Sequence, residues 1–407
     1  MSPTAPPRLT PRLIPLTLSL AALGAAPALM AQSTVVKGEV SVHTPPASQA
    51  TRNGTDFGNA KPMALPRASS APQTQTRGAA STPQGSAATL ASPGRSVGAR
   101  GNGKQTPQTL IAPANLASTQ AAKAGSATNG LVRPQEYGQS GQPYTTSRVD
   151  LDGSEVSTLY PYRAAGKLYF NTGSGSAVCS ASLIKPGILV TAAHCVAEFG
   201  AGRFYSDFEY VPAFYRGYAP YGTWAGATVY VQSNYLRGTA DCINGVVCEN
   251  DIALIRLRAK RDEDGKAFYA GHLTGWLGDG WDGYGYASGA TLINQLGYPV
   301  SHDYGEMMQR TDSPGVIDST VKYNIVIGSR QTGGSSGGPW VLNLGELGTL
   351  NDTEAGLDGG TNIITGVTSW GYTDGVTKQQ GASPFLTSNI VRLMEKACPS
   401  SSSPGCR

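Results

Sequence analysis

The first part of this 407-residue chain is nearly without aromatic residues and entirely without cysteine. Only Phe57, Tyr137 and Tyr144 among its Phe, Trp and Tyr residues precede residue 152, and the first cysteine is Cys179. Acidic residues are also scarce there: residues 1–151 hold 13 Lys and Arg against 4 Asp and Glu, whereas residues 152–407 hold 18 against 23. The net charge of +4 therefore describes neither part, and it gives no basis for nucleic acid binding. Beyond the N-terminus no apolar run is long enough to span a bilayer, so no membrane anchor is expected in the processed chain. No cysteine pair has the spacing of a zinc knuckle, and neither metal nor cofactor is expected.

What is present divides the chain. Arg8 and Arg12 precede an apolar run from Leu13 to Leu29, interrupted by Pro15 and Pro27, with small residues after it. Residues 1–31 thus read as an export signal, with cleavage expected after Ala31, although Ala28 satisfies the small-residue rule better. Export places the six cysteines in an oxidising compartment and favours disulfides over thiolates. Residues 32–135 are rich in Ser, Thr, Ala, Pro, Gly and Gln. With so few large apolar side chains such a segment cannot offset the entropy of ordering, and a disordered pro-segment or linker is expected over 32–154. The alternative is a small folded inhibitory prodomain, against which the shortage of aromatics argues.

From about Tyr160 the texture changes. Short β-favouring runs such as Lys167–Phe170, Gly187–Thr191, Ala227–Gln232 and Asp251–Leu257 alternate with Gly, Pro, Asn and Asp turns. This spacing predicts an all-β barrel or sandwich. One helix is expected near the end, capped by Thr387 or Ser388, with Ile390, Leu393, Met394 and Ala397 on one face. Residues 399–407 read as a short tail.

Three segments carry chemistry: Thr191-Ala-Ala-His194-Cys195 after an apolar strand, Asn250-Asp251 opening another, and the Gly-rich turn Gly333-Gly-Ser-Ser336-Gly-Gly-Pro-Trp340. A serine hydroxyl is a poor nucleophile unless a base takes its proton during attack. Histidine, with a reference pKa near 6.5, can accept and return that proton at neutral pH. A buried carboxylate fixes the imidazole tautomer and stabilises the imidazolium. The developing oxyanion needs fixed N–H donors, which a glycine turn can aim at one point. Each motif alone has a bland reading: a loop, a packed histidine, a strand-start cap. Their conjunction in one chain order is what favours catalysis by His194, Asp251 and Ser336.

The order His, Asp, Ser and the local patterns Thr191-Ala-Ala-His-Cys, Asp251-Ile-Ala-Leu and Ser335-Ser336-Gly-Gly-Pro339 resemble the chymotrypsin-like serine proteases. Within them, Tyr160–Lys167, Cys179–Ile184, Ala219–Trp224 and Gly333–Trp340 look most like the bacterial and fungal glutamyl-endopeptidase-like branch. The resemblance covers about residues 155–398. It implies two antiparallel β-barrels with the active site between them, polypeptide substrates, an oxyanion hole from the N–H groups of Gly334 and Ser336, and substrate contacts from Ser369 and Gly371. It also implies a Cys179–Cys195 bridge. Cys242–Cys248 and Cys398–Cys406 are expected because short loops close most easily, although six cysteines allow 15 pairings. The expected product is a secreted, monomeric endopeptidase; a silent binding relative and an esterase are the alternatives.

Specificity stays open at this point. Arg330, six residues before the nucleophile, falls by resemblance at the base of the primary specificity pocket, where a guanidinium would favour an acidic P1 side chain. The Glu-specific enzymes carry a histidine where this chain has Thr368. If Arg330 turns to solvent, Gln331 and Thr332 are left to form a plain polar pocket. Ser335 replaces the aspartate that in trypsin-like enzymes pairs with the freed N-terminus, so activation by that charge pairing is not expected.

Overall fold

A computed structural model describes residues 33–37, 39–45, 57–68, 92–107, 109–111, 136–138 and 143–151 of the first part of the chain. It also describes 154–407 apart from 241, 244–245, 248, 287–288, 319–323, 346–359 and 373–377. Residues 32–407 form one compact unit, and residues 1–31, the expected signal, lie outside the described residues.

The β-branched runs read from the sequence become strands. β1 (Ala165–Asn171), β2 (Ser176–Lys185), β3 (Ile188–Thr191), β4 (Ser206–Pro212), β5 (Trp224–Gln232) and β6 (Ala253–Leu257) pair in the order β5-β4-β1-β2-β3-β6. Pairing of β5 with β6 closes this first barrel. β7 (Ala290–Gly297), β8 (Gln309–Asp318), β9 (Asn324–Gly328), β10 (Pro339–Leu342), β11 (Ile363–Tyr372) and β12 (Gln379–Pro384) follow in the order β7-β10-β11-β12-β9-β8. Pairing of β7 with β8 closes the second. The fold is therefore all-β, two closed antiparallel barrels of six strands each, as expected. Closure joins the end strands of each barrel, and further strands from the early part of the chain still pair along both sheets.

The C-terminal helix α1 (Arg392–Ala397) buries Leu393 and Ala397, with Ile390 buried in the wider turn Thr387–Val391 that leads into it. Met394 is half-buried. The expected hydroxyl cap is not used. Asn389 Oδ1 accepts the Leu386 N–H at 2.8 Å, and Asp282 Oδ1 accepts the Thr387 N–H at 2.8 Å. A carboxylate reaching in from a distant loop thus replaces a local cap, a choice that only tertiary packing can make. Gln232 Nε2, at the end of β5, donates to the carbonyls of Ser388 and Asn389 at 3.2 Å and ties this region to the first barrel.

The expectation of disorder across 32–154 needs correction where the chain is described. Val40–Thr44 pairs antiparallel with β5, Tyr144–Arg148 with β8, and Lys61–Pro62 runs parallel to β2. Gly94–Ser96 pairs with Gly278–Trp281, and Thr109–Leu110 with Tyr218–Ala219. His43, expected in an unstructured stretch, is buried and stacks on Phe204 with ring centroids 5.0 Å apart; burial lowers its pKa. Composition excluded a core of the segment's own. It did not exclude the addition of strands to a core already built elsewhere, where backbone hydrogen bonds do most of the ordering.

Disulfides join Cys179 to Cys195 and Cys398 to Cys406, as expected. The Cys242–Cys248 bridge falls outside the described residues, although Cys242–Ile243 and Val246–Val247 do form the hairpin that would present it.

Candidate active site

Strand register brings the first two site residues together. In the β3–β6 pair Thr191 stands opposite Ala253. His194 lies three residues beyond Thr191, in the short 3₁₀ turn Ala193–Cys195, and Asp251 lies two residues before Ala253. Both therefore emerge at the same barrel end. Asp251 Oδ2 lies 2.8 Å from His194 Nδ1, and Asp251 Oδ1 accepts the His194 backbone N–H at 2.8 Å. Ser369 Oγ, from β11 of the second barrel, donates to Asp251 Oδ2 at 2.6 Å. The carboxylate is thus held from both barrels and is almost wholly buried. It holds the Nδ1 side of the ring, leaving Nε2 as the nitrogen able to exchange a proton.

Ser336 sits in the turn ahead of β10. Ser180 on β2 anchors this turn to the first barrel: its N–H donates to the Ser336 carbonyl and its hydroxyl to the Gly334 carbonyl, both at 2.8 Å. On the other side, the Gly337 N–H donates to the Thr368 carbonyl at 2.8 Å. The turn is therefore clamped between β2 and β11. Gly334 and Gly337 have φ of +94° and +76°, and a Cβ on Gly337 would stand 2.0 Å from Thr191 Oγ1, so glycine is required there. Ser336 Oγ and His194 Nε2 are both buried and neither has a hydrogen-bond partner. Polar atoms so placed are expensive to leave unpaired, and they cluster where chemistry is done. The Gly334 N–H, an expected oxyanion donor, points at the Met63 carbonyl oxygen at 3.0 Å.

Residues 151–387 match the family described as Trypsin. The chain belongs to that family. Solved structures similar to this trypsin-family protein include the protease Anisep from Arthrobacter nicotinovorans, at 23% identity and TM-score 0.45, covering 58% of this chain and 96% of that one. A thermostable serine protease, AL20, from an extremophilic microorganism is similar at 21% identity and TM-score 0.44, covering 58% and 98%. A Glu endopeptidase is similar at 18% identity and TM-score 0.45, covering 63% and 97%. No sequence match was found among curated proteins. As a member of the trypsin family, the protein is a serine endopeptidase with the chymotrypsin fold.

The other site expectations fare unevenly. Ser369 and Gly371 lie on β11, with Ser369 bound to Asp251. Thr368 is buried, and its hydroxyl accepts from Gln295 Nε2 and Trp340 Nε1 at 2.9 Å each. Arg330, placed by sequence at the base of a pocket, is instead exposed, with Ser301 Oγ donating to its backbone carbonyl at 3.2 Å. A guanidinium is costly to bury without a paired anion, whereas a long side chain reaches water easily. Gln331 is buried in its place and Thr332 is exposed. Gln380, which sequence reasoning missed, donates to the Gln331 carbonyl at 2.5 Å, and Ser329 Oγ donates to Gln295 Oε1 at 2.8 Å. The chain thus backs the nucleophile turn with neutral amides. Ser180 was missed too; its only signal was a polar residue inside an apolar strand run. The sulfurs of Cys179 and Cys195, which with His194 form a cluster of metal-ligand types, are bonded to each other and offer no thiolate.

Proposed function

We propose that this endopeptidase cleaves peptides through an acyl-enzyme on Ser336, with His194 as general base and Asp251 orienting it. The observation that carries this reading is the His194–Asp251 pair, joined at 2.8 Å, together with a Ser336 hydroxyl and a His194 Nε2 that are both buried and each lack a hydrogen-bond partner. Ser336 Oγ attacks the scissile carbonyl carbon and its proton passes to Nε2. The N–H groups of Gly334 and Ser336 receive the oxyanion. As the C–N bond breaks, the same proton goes to the leaving amine, and water then repeats the sequence to release the acid. Ser369 holds Asp251 in place, and Gly371 offers its backbone to the substrate. The neutral residues Gln331, Gln380 and Thr368 support a small or uncharged polar P1 preference over an acidic one. A P1 scan on fluorogenic peptides tests this; preference for Glu or Asp would reverse it. Two disulfides support secretion in an oxidising compartment. Among the described residues no helix is long and apolar enough to cross a membrane.

Ser336→Ala is the direct test. The variant should keep its fold, lose fluorophosphonate labelling and lose casein hydrolysis by about 10⁶-fold, the scale seen when a triad serine is removed. Undiminished hydrolysis by this variant would refute the mechanism. Labelling without casein hydrolysis would point to an esterase.

A further inference from the structure

Residues 61–68 cross the active-site cleft. Lys61 and Pro62 pair parallel with Ala177 and Val178 of β2, and the Met63 N–H donates to the Val178 carbonyl at 2.9 Å. The Met63 carbonyl then accepts the Gly334 N–H at 3.0 Å. Three residues later the Pro66 carbonyl accepts the Gly371 N–H at 3.1 Å, and Arg67 and Ala68 run parallel to Gly371 and Tyr372 of β11. The nucleophile turn lies between these two strands, tied to Ser180 on one side and Thr368 on the other. The path from β2 to β11 therefore passes over Ser336, which is fully buried.

Direction decides what this segment is. For cleavage, the amine that leaves must take its proton from His194, so the chain after the scissile carbonyl has to depart on the His194 side. That side is marked by Cys195, next to His194 and bonded to Cys179, which adjoins Val178 on β2. Here the chain arrives from β2 and departs toward Gly371. A carbonyl sits at the Gly334 donor, but Ala64, which carries the nitrogen that would leave, heads the wrong way. We infer that residues 61–68 are a built-in inhibitor that fills the substrate cleft backwards, using the enzyme's own substrate-binding N–H groups, and so escapes cleavage.

The surroundings support a strap held in place. Met63 packs against the first-barrel core cluster that contains the Cys179–Cys195 bridge. Four residues before Lys61, Phe57 is buried edge-on against Tyr169 with ring centroids 4.7 Å apart. Further upstream, Val40–Thr44 is paired to β5. Tethering makes re-entry intramolecular, so the strap acts at a high effective concentration. The peptide class that fits is extended, apolar and proline-flanked, as in Lys61-Pro-Met-Ala-Leu-Pro66.

This inference rests on the assignment of Ser336 and Gly334 made above, and the test separates the two. Fluorophosphonate labelling rates are compared for the full chain, for Met63→Pro, and for a full-length chain with 61–68 replaced by Gly and Ser. Intact mass confirms that no chain has been cut. Proline at 63 removes the N–H bound to Val178. Both altered chains should label at least about tenfold faster than wild type, the factor expected when no more than about a tenth of the molecules are open. A synthetic peptide of residues 59–68 should slow labelling of the replaced chain and be recovered intact. Equal labelling of wild type and both altered chains would overturn the strap alone. So would cleavage of the peptide after Met63, since that requires the forward direction. If no chain labels while all three melt at the same temperature, the Ser336 assignment fails and the strap falls with it.

Discussion

Residues 165–257 carry their own core, whereas the described residues of 40–111 carry almost none, and yet both contribute strands to the same sheet. The first barrel buries Leu168, Phe170, Tyr210, Trp224, Leu254 and Ile255 completely. Among its described residues the earlier segment offers only Val40, Phe57 and Ile111 as buried apolar side chains, and its strands lie against backbone that the barrels supply. Hydrophobic burial thus orders the catalytic unit, and backbone pairing with a few anchors orders what is laid over it. The attachment of the early segment can be lost without opening the core of the barrels.

The sharpest way to break this comparison is to damage each side and ask what unfolds. Trp340→Ala should lower the stability of the whole catalytic unit by about 3–5 kcal/mol. Trp340 is fully buried, and its Nε1–H donates to Thr368 at 2.9 Å, so the variant also strips a partner from that hydroxyl. Denaturant melts followed by fluorescence would show it; a loss below about 1 kcal/mol would mean that the second barrel has another main support.

An inter-barrel ion pair gives the next effect. Lys167 on β1 is buried, with Nζ 3.3 Å from Glu306 Oε1 and 4.0 Å from the Phe214 ring centre; Tyr169 and Tyr298 also face it. Glu306→Leu leaves this ammonium without its counter-charge and should cost about 3 kcal/mol. Desolvation already lowers the lysine pKa, and Glu306 opposes that shift. Between the lowered folded pKa and the ordinary lysine range the unfolded chain binds more protons, so stability rises with pH. In Glu306→Leu that rise should begin at lower pH, and chemical melts from neutral to alkaline pH would detect it. An unchanged pH profile would exclude Lys167 as the titrating group.

Phe57→Ala should act on the other side of the comparison. The loss, about 3 kcal/mol at a fully packed site, should fall on docking of the early segment and leave the melt of the catalytic unit unmoved. Faster cutting of residues 57–68 by an added protease would report it. A matching fall in the melt of the barrels would show that the segment is part of their core. Val42→Ala, half-buried on the strand paired with β5, is expected to be smallest, about 1 kcal/mol and confined to the same segment.

Much of this protein was set by local sequence. The Thr191-Ala-Ala-His194 and Asp251-Ile-Ala-Leu runs fix strand ends, because β-branched stretches followed by polar residues end where the barrel wall ends. The Gly-rich turn at Ser336 was legible because positive φ demands glycine, and the Cys179–Cys195 bridge by resemblance. Tertiary structure decided what no local pattern records. Ser369 reaches Asp251 across 118 residues of chain, Ser180 reaches Gly334 across 154, and Asp282 caps a helix 105 residues on. Arg330 went to solvent because a long charged side chain reaches water more easily than it is buried, and buried amides form the backing of the turn. The polar early segment acquired strands, and a backward path through the cleft, because the barrels offered unpaired backbone. Local sequence constrains the conformations a residue can adopt; which distant group meets its hydrogen bonds is settled only when the barrels close.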